Sequence, residues 1–218
     1  MNISLIIYAC HHSVNWLTNL EPIYNIHILN CPKEELGCYD ESYGYLSFII
    51  NNYKTLRGKY IFLHGHNTAW HYDTPAHYQL KKLLKTSYFV TNPFGGVYCI
   101  TNTVFTLGQH SGSMGKSKEW YWDKMFLGTR LLIPRMFRYP CCGTFFVETS
   151  HITQHSVKFY KKIRDNLSNF SIIYKRKKLC GRVLEGSWKT IFNFNRIETG
   201  RTYAIMHKNT LWFCIISH

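Results

Sequence analysis

The run Lys59-Tyr60-Ile61-Phe62-Leu63-His64-Gly65-His66-Asn67-Thr68-Ala69-Trp70-His71-Tyr72-Asp73 decides how the chain is read. Tyr60 to Leu63 is short, apolar and partly β-branched or aromatic, the pattern of a buried strand. The apolar run stops at His64, and the ten residues from His64 to Asp73 hold three histidines, a tryptophan, a glycine and an aspartate. In an open α/β sheet, ligands gather beyond the carboxyl ends of the strands. A polar cluster in that place is a candidate site. The plainer alternative is a loop in which Trp70 and His71 only pack and only His66 meets solvent.

Upstream, Glu41 to Leu56 carries a helical pattern. Tyr45, Ile49 and Tyr53 recur every four residues, and Leu46 and Ile50 fill the same face. Arg57-Gly58 closes it, with Gly58 suited to a left-handed turn. Before it, Met1 to Cys10 and Tyr24 to Leu29 read as strands. His11 to Leu20 is a loop and short helix, with Trp16 and Leu17 turned inward. Strand, helix and strand at this spacing make a βαβ unit.

Downstream, Pro75 suits a first helical position and Ala76 to Lys85 a helix. Ser87 to Val90 and Gly96 to Ile100 read as short strands, Gly108 to Lys118 as a Gly- and Ser-rich loop, and Lys118 to Leu127 as a helix. Pro134 to Pro140 is expected to be a connector. Gly143 to Val147 is a strand, Ser150 to Leu167 one long helix, and Gly181 to Phe194 another. Thr202 to Met206 and Leu211 to Ile216 form a terminal hairpin. The sum is a single α/β domain over residues 1–218, with a mixed, mostly parallel central sheet flanked by helices.

Composition sets bounds. The 218 residues, 45% hydrophobic and 17% charged, suit a folded globular domain rather than a disordered chain. The net charge of +14 favours polyanionic partners. The charges are dispersed apart from Lys175-Arg176-Lys177-Lys178. No nucleic-acid module accompanies that run, so nucleic acid is not the expected partner. The eight cysteines include no C-x-x-C pair. The simplest reading is reduced, buried thiols in a cytoplasmic protein, although an even count leaves disulfides open. No apolar run approaches the ~20 residues of a membrane span.

Taken in order, several motifs form a set. Tyr45-Leu46 with Ile49, Ile50 and Tyr53 precedes Phe62-Leu63-His64-Gly65-His66 and Trp70-His71. Cys141-Cys142-Gly143-Thr144-Phe145-Phe146-Val147 comes later, then Phe159-Tyr160. Gly181-Arg182-Val183-Leu184-Glu185 follows, with Trp188 and Ile191-Phe192. Over roughly residues 1–195 the set resembles a family known only as a domain of unknown function, abundant in fungal proteins. That family's layout is similar to small nucleotide-diphospho-sugar transferases of GT-A-like fold. In those a buried strand ends in an Asp-x-Asp pair that holds a divalent metal and the sugar-nucleotide diphosphate. An acidic residue on a late helix lines the sugar pocket.

The resemblance therefore implies a glycosyltransferase with a nucleotide-sugar donor and an acceptor it does not identify. It puts Glu41, His64, His66 and Trp70 on the donor side. His64, His66 and His71 would hold Mn²⁺, Mg²⁺ or Zn²⁺, and Glu185 would be the general base on the acceptor. The chain departs from the pattern, because imidazoles stand where carboxylates would and suit softer ions than Mg²⁺. They could also hold phosphate directly. Tyr39-Asp40 precede Glu41 where the family often has Gly-Arg. Glu185 could instead pair with Arg182 one turn earlier, and Glu41 suits a helix start for dipole reasons alone.

Three other readings stay open. His64, His66, His71 and Asp73 faintly resemble a metal-dependent hydrolase signature. A non-catalytic binding protein would use the basic surface alone. Cys141 or Cys142 as a nucleophile beside His151 or His155 is the remaining option, weaker than buried structural thiols.

Overall fold

A computed structural model describes residues 3–10, 12–20, 24–31, 41–68, 75–85, 98–99, 104–106, 118–131, 138–140, 144–174, 184, 187–192, 202–204 and 214–216. Its centre is a five-stranded sheet. β1 (Ile3–Tyr8), β2 (Tyr24–Leu29) and β3 (Lys59–His64) are parallel, in the order β2-β1-β3. β4 (Tyr98–Cys99) and β7 (Phe145–Glu148) extend it to β2-β1-β3-β7-β4, and β7 is antiparallel to both of its neighbours. Two smaller ladders pair β5 (Val104–Thr106) with β6 (Arg138–Pro140), and β8 (Thr202–Ala204) with β9 (Cys214–Ile216). The architecture is thus the expected mixed α/β sheet flanked by helices. The terminal hairpin forms, and Arg138–Pro140 is a strand rather than part of a connector.

β1, β3 and β7 are buried on both faces, which is why they read as continuous apolar runs, whereas β2 at the sheet edge buries Tyr24 and leaves Ile26 and Ile28 exposed. Side chains alternate across the sheet. Ile3, Leu5 and Ile7 of β1, with Ile61 and Leu63 of β3, face Trp16, Ala76 and Leu80. Trp16 lies in the 3-10 turn Asn15–Asn19, and the other two in α2 (Ala76–Lys85). Ile6, Tyr8, Tyr60 and Phe62 join Phe145 and Val147 of β7 on the opposite face. There they meet α1 (Glu41–Asn52), α3 (Lys118–Phe126), α5 (Val157–Tyr174) and α6 (Trp188–Phe192). On this alternation His64 continues the Tyr60–Phe62 row, on the side of α1.

α1 buries Tyr45, Leu46 and Ile49 as its periodicity predicts, but ends at Asn52 rather than Leu56. The Asn52 carbonyl accepts from the Thr55 amide at 2.8 Å and from its hydroxyl at 3.0 Å, which turns the chain early. Gly58 is left-handed at φ 81°. Its carbonyl accepts from the Thr149 amide and hydroxyl, both at 3.0 Å, which ties the start of β3 to the end of β7.

The long helix expected from Ser150 is broken into α4 (Thr149–Ile152) and α5. The Thr153 amide and hydroxyl both return to the Thr149 carbonyl at 2.9 Å. His155 then leaves the helical path and contacts the Ile191 carbonyl through Nε2 at 2.7 Å, its ring stacked on Phe159. Burial holds the His155 ring below its ordinary pKa, and the Ile191 carbonyl opposes the shift. Ser87 to Val90, the Gly108 loop, Lys175 to Lys178, Cys141, Cys142 and most of Gly181 to Ser187 lie outside the described residues. Among the described residues no helix is long and apolar enough to cross a membrane.

Candidate functional site

In the order β2-β1-β3, the chain moves from β1 to one neighbour and returns to the other. The carboxyl ends of β1 and β3 therefore flank the topological switch point, where open sheets form their ligand crevice. Tyr8 and His64 are register partners at that edge. Two chains leave it side by side, Ala9-Cys10 from β1 and Gly65-His66 from β3.

Glycine is required at position 65. A Cβ there would lie 2.7 Å from Ala9 Cα and 2.8 Å from the Tyr8 carbonyl oxygen, both backbone atoms. Because the side chain is missing, β3 lies flat against the end of β1. The Gly65 carbonyl accepts a buried 2.7 Å hydrogen bond from Trp16 Nε1. Trp16→Phe keeps most of the packing but leaves that carbonyl without its partner. It is expected to cost about 1–3 kcal/mol, read as a lowered denaturation midpoint. An unchanged midpoint would remove Trp16 as the anchor of the turn.

On this platform three imidazoles converge. The His64 and His66 rings are stacked, with centroids 5.0 Å apart and planes 14° from parallel. The two-residue spacing thus turns both side chains the same way, as expected from an extended segment. His12 meets His66 edge-on, also at 5.0 Å. It returns there because its amide closes a tight turn onto the Ala9 carbonyl at 3.3 Å. The pattern of the chain does not single out His12. The only signal for it was its place just past the end of the first strand.

His66 is held down to about pKa 4, first by burial and then by the charges of His64 and His12, while Glu41 pulls it back up. Glu41 is the first residue of α1, so the amino end of that helix stands at this edge. Gly44 makes the approach possible, because a Cβ on it would come within 2.6 Å of the Tyr8 ring.

The low His66 value gives stability a pH dependence. Above 6.5 the ring is neutral in folded and unfolded chains alike, and between 6.5 and about 4 only the unfolded chain takes up the proton. Stability is therefore lost as pH falls through that window, and the loss levels off below it. His155 is shifted the same way. His66→Ala is expected to flatten the decline in denaturation midpoint between about pH 7 and about pH 5. An unaltered slope would contradict the buried, neutral imidazole.

Asn67 closes the turn. Its carbonyl accepts from the Ala76 amide at 2.7 Å, and its Oδ1 accepts from the His77 amide at 3.2 Å, tying the turn to the start of α2. Of the residues singled out by sequence, His64, His66 and Glu41 are brought to one edge. Trp70, His71, Asp73 and Glu185 lie outside the described residues. Among the described residues no group of three or more His, Cys, Asp or Glu is placed to hold a metal ion. His71, the third residue of the metal site that the resemblance implies, is outside them.

The reading of all cysteines as reduced thiols does not hold for Cys10 and Cys31, which are joined as a disulfide with Cα atoms 4.9 Å apart. The separation is in the ordinary range for such a bridge.

Fold and site together define a mixed α/β protein with a cluster of three histidines at its switch point. Residues 11–206 match the family described as Protein of unknown function (DUF3431), and the chain belongs to that family. No curated protein and no solved structure matches it.

Proposed function

We propose that this protein is a glycosyltransferase that binds a nucleotide-sugar donor across the carboxyl ends of β1 and β3. One observation carries the reading: the His64-Gly65-His66 turn closes the strand at the switch point, where a diphosphate would sit, with His12 beside it. The amino end of α1 at the same edge supports it, since helix amino termini favour anions.

In this reading the imidazole N–H groups of His64, His66 and His12 meet phosphate oxygens directly, and no step is assigned to a metal. Arrival of the anion favours the imidazolium form of His66, so the site takes up a proton on binding. Positive charge is then in place as the bond between the sugar C1 and the phosphate oxygen breaks. The acceptor oxygen bonds to C1 and its proton passes to Glu185, the base that the order of the motifs implies.

The test is calorimetric titration of the purified chain with UDP and GDP, and with their sugar conjugates. Binding is expected, and it should tighten as pH falls from about 8 to about 6, with proton uptake visible as a buffer-dependent enthalpy. Binding that ignores pH would contradict the imidazole site, and binding of no nucleotide would sink the transferase reading. Tight Zn²⁺ binding without nucleotide would point to a metal-dependent hydrolase instead.

A further inference from the structure

β1 and β2 pair in parallel register up to Tyr8↔Leu29, and the ladder runs one step further, with the Ala9 amide donating to the Leu29 carbonyl at 2.9 Å. Carried on by two residues, the same register sets Cys10 opposite Cys31. The disulfide therefore joins the carboxyl ends of two neighbouring parallel strands and ties the chain that leaves β1 toward His12 to the end of β2.

Its surroundings lead into the site from two directions. Cys10 lies inside the Ala9–His12 turn that swings His12 over Gly65 and edge-on to His66. The Tyr8 hydroxyl lies 4.0 Å from Cys31 Sγ. The ring of the same tyrosine occupies the space beside Gly44 in the opening turns of α1, the helix that begins at Glu41. Both cysteines are half-buried, so a thiol reagent can approach them.

We infer that the Cys10–Cys31 bridge is a redox latch on the crevice, holding His12 against His66 when oxidised and releasing it when reduced. The inference rests on the reading of the histidine cluster as the diphosphate site. Cys10 and Cys31 are positioning residues in it and touch no substrate. Reduction is by a cellular thiol, in two exchange steps. The S–S bond breaks, Cys10 and Cys31 each gain a proton and one electron, and two reductant thiols leave joined as their own disulfide. In a thiol-rich compartment such as the cytoplasm the open form is favoured, and in an oxidising one the closed form. Nucleotide binding would then follow the compartment or the oxidative state of the cell.

The experiment uses the full chain with and without dithiothreitol. Peptide mapping after alkylation in the absence of reductant should recover Cys10 linked to Cys31. Free alkylation of both would overturn the inference. UDP titrations should then show about fivefold tighter binding to the oxidised protein, the worth of one ordinary hydrogen bond. In His12→Ala the difference between oxidised and reduced protein should vanish. The Cys10→Ser/Cys31→Ser double variant should bind like reduced wild type whatever the reductant. A merely structural bridge would lower affinity in wild type and His12→Ala alike, and that result, or equal affinity in both states of the wild type, would overturn the latch. If UDP binds no form of the protein, the diphosphate reading fails by itself. The latch is then decided by NMR, as a His12–His66 ring contact present when oxidised and lost on reduction. A contact that survives reduction would overturn it.

Discussion

His66→Ala is expected to weaken nucleoside diphosphate binding by about 10- to 100-fold, the range for a hydrogen bond to a charged group. His66 is the central ring of the three, stacked on His64 and met edge-on by His12. Its removal separates the other two and takes away the group whose proton uptake balances the ligand's charge. Folding should survive, because the ring is half-buried and neutral near pH 7. Titration calorimetry of variant and wild type, with circular dichroism as the control for folding, reads the effect. His66→Gln offers a donor without the titration. It should recover part of the affinity but none of the gain at lower pH. Equal affinity in wild type and His66→Ala would move the ligand elsewhere.

The second large effect is on the platform. Gly65→Ala is expected to destabilise the chain by about 2–3 kcal/mol, at the upper end of overpacking costs, because the atoms in the way are backbone and have no rotamer to change. Those atoms are Ala9 Cα at 2.7 Å and the Tyr8 carbonyl oxygen at 2.8 Å. The two strand ends would have to part, which also shifts the Gly65 carbonyl away from Trp16 Nε1. Gly44→Ala is the comparison. Its nearest contact, 2.6 Å, is to the Tyr8 ring, a side chain that can swing, and alanine gains about 1 kcal/mol of helix propensity over glycine. Denaturation midpoints should fall far more for Gly65→Ala than for Gly44→Ala. The reverse order would mean that the close approach of β3 to β1 does not hold the edge together.

The strands β1 and β3 are readable because each is buried on both faces and so appears as an apolar run bounded by polar residues, whereas β2, at the sheet edge, alternates Tyr24, Ile26 and Ile28 with Asn25 and His27. His64 and His66 were readable for the same reason, as the point where such a run stops. His12 was not, because its partner His66 lies far along the chain and only the close approach at Gly65 joins them. The Cys10–Cys31 pair was missed for a related reason. A search for close cysteine spacings does not find two cysteines set two residues past the ends of neighbouring parallel strands. The equal offset from Tyr8 and from Leu29 was the available signal. The apolar run at Phe145 to Val147 identified a strand but carried no sign of its direction, and β7 proved antiparallel. The break at Thr153 is hidden because His155, which lies before the second helix, stands four residues ahead of Phe159 and so extends the spacing of Phe159 and Ile163 backwards. The burial of His155 comes from its contact with the Ile191 carbonyl and its stacking on Phe159 rather than from a continuous helix.

The histidine cluster at the β1–β3 switch point is the proposed ligand site, and one measurement addresses it most directly. UDP is titrated into wild type, His66→Ala and His12→Ala at two pH values, about 8 and about 6, in two buffers of different ionisation enthalpy. The account predicts that wild type binds, takes up a proton and binds more tightly at the lower pH. It predicts that His66→Ala loses both the affinity and the proton uptake, with His12→Ala in between. Binding that is independent of pH and unchanged in both variants would contradict it.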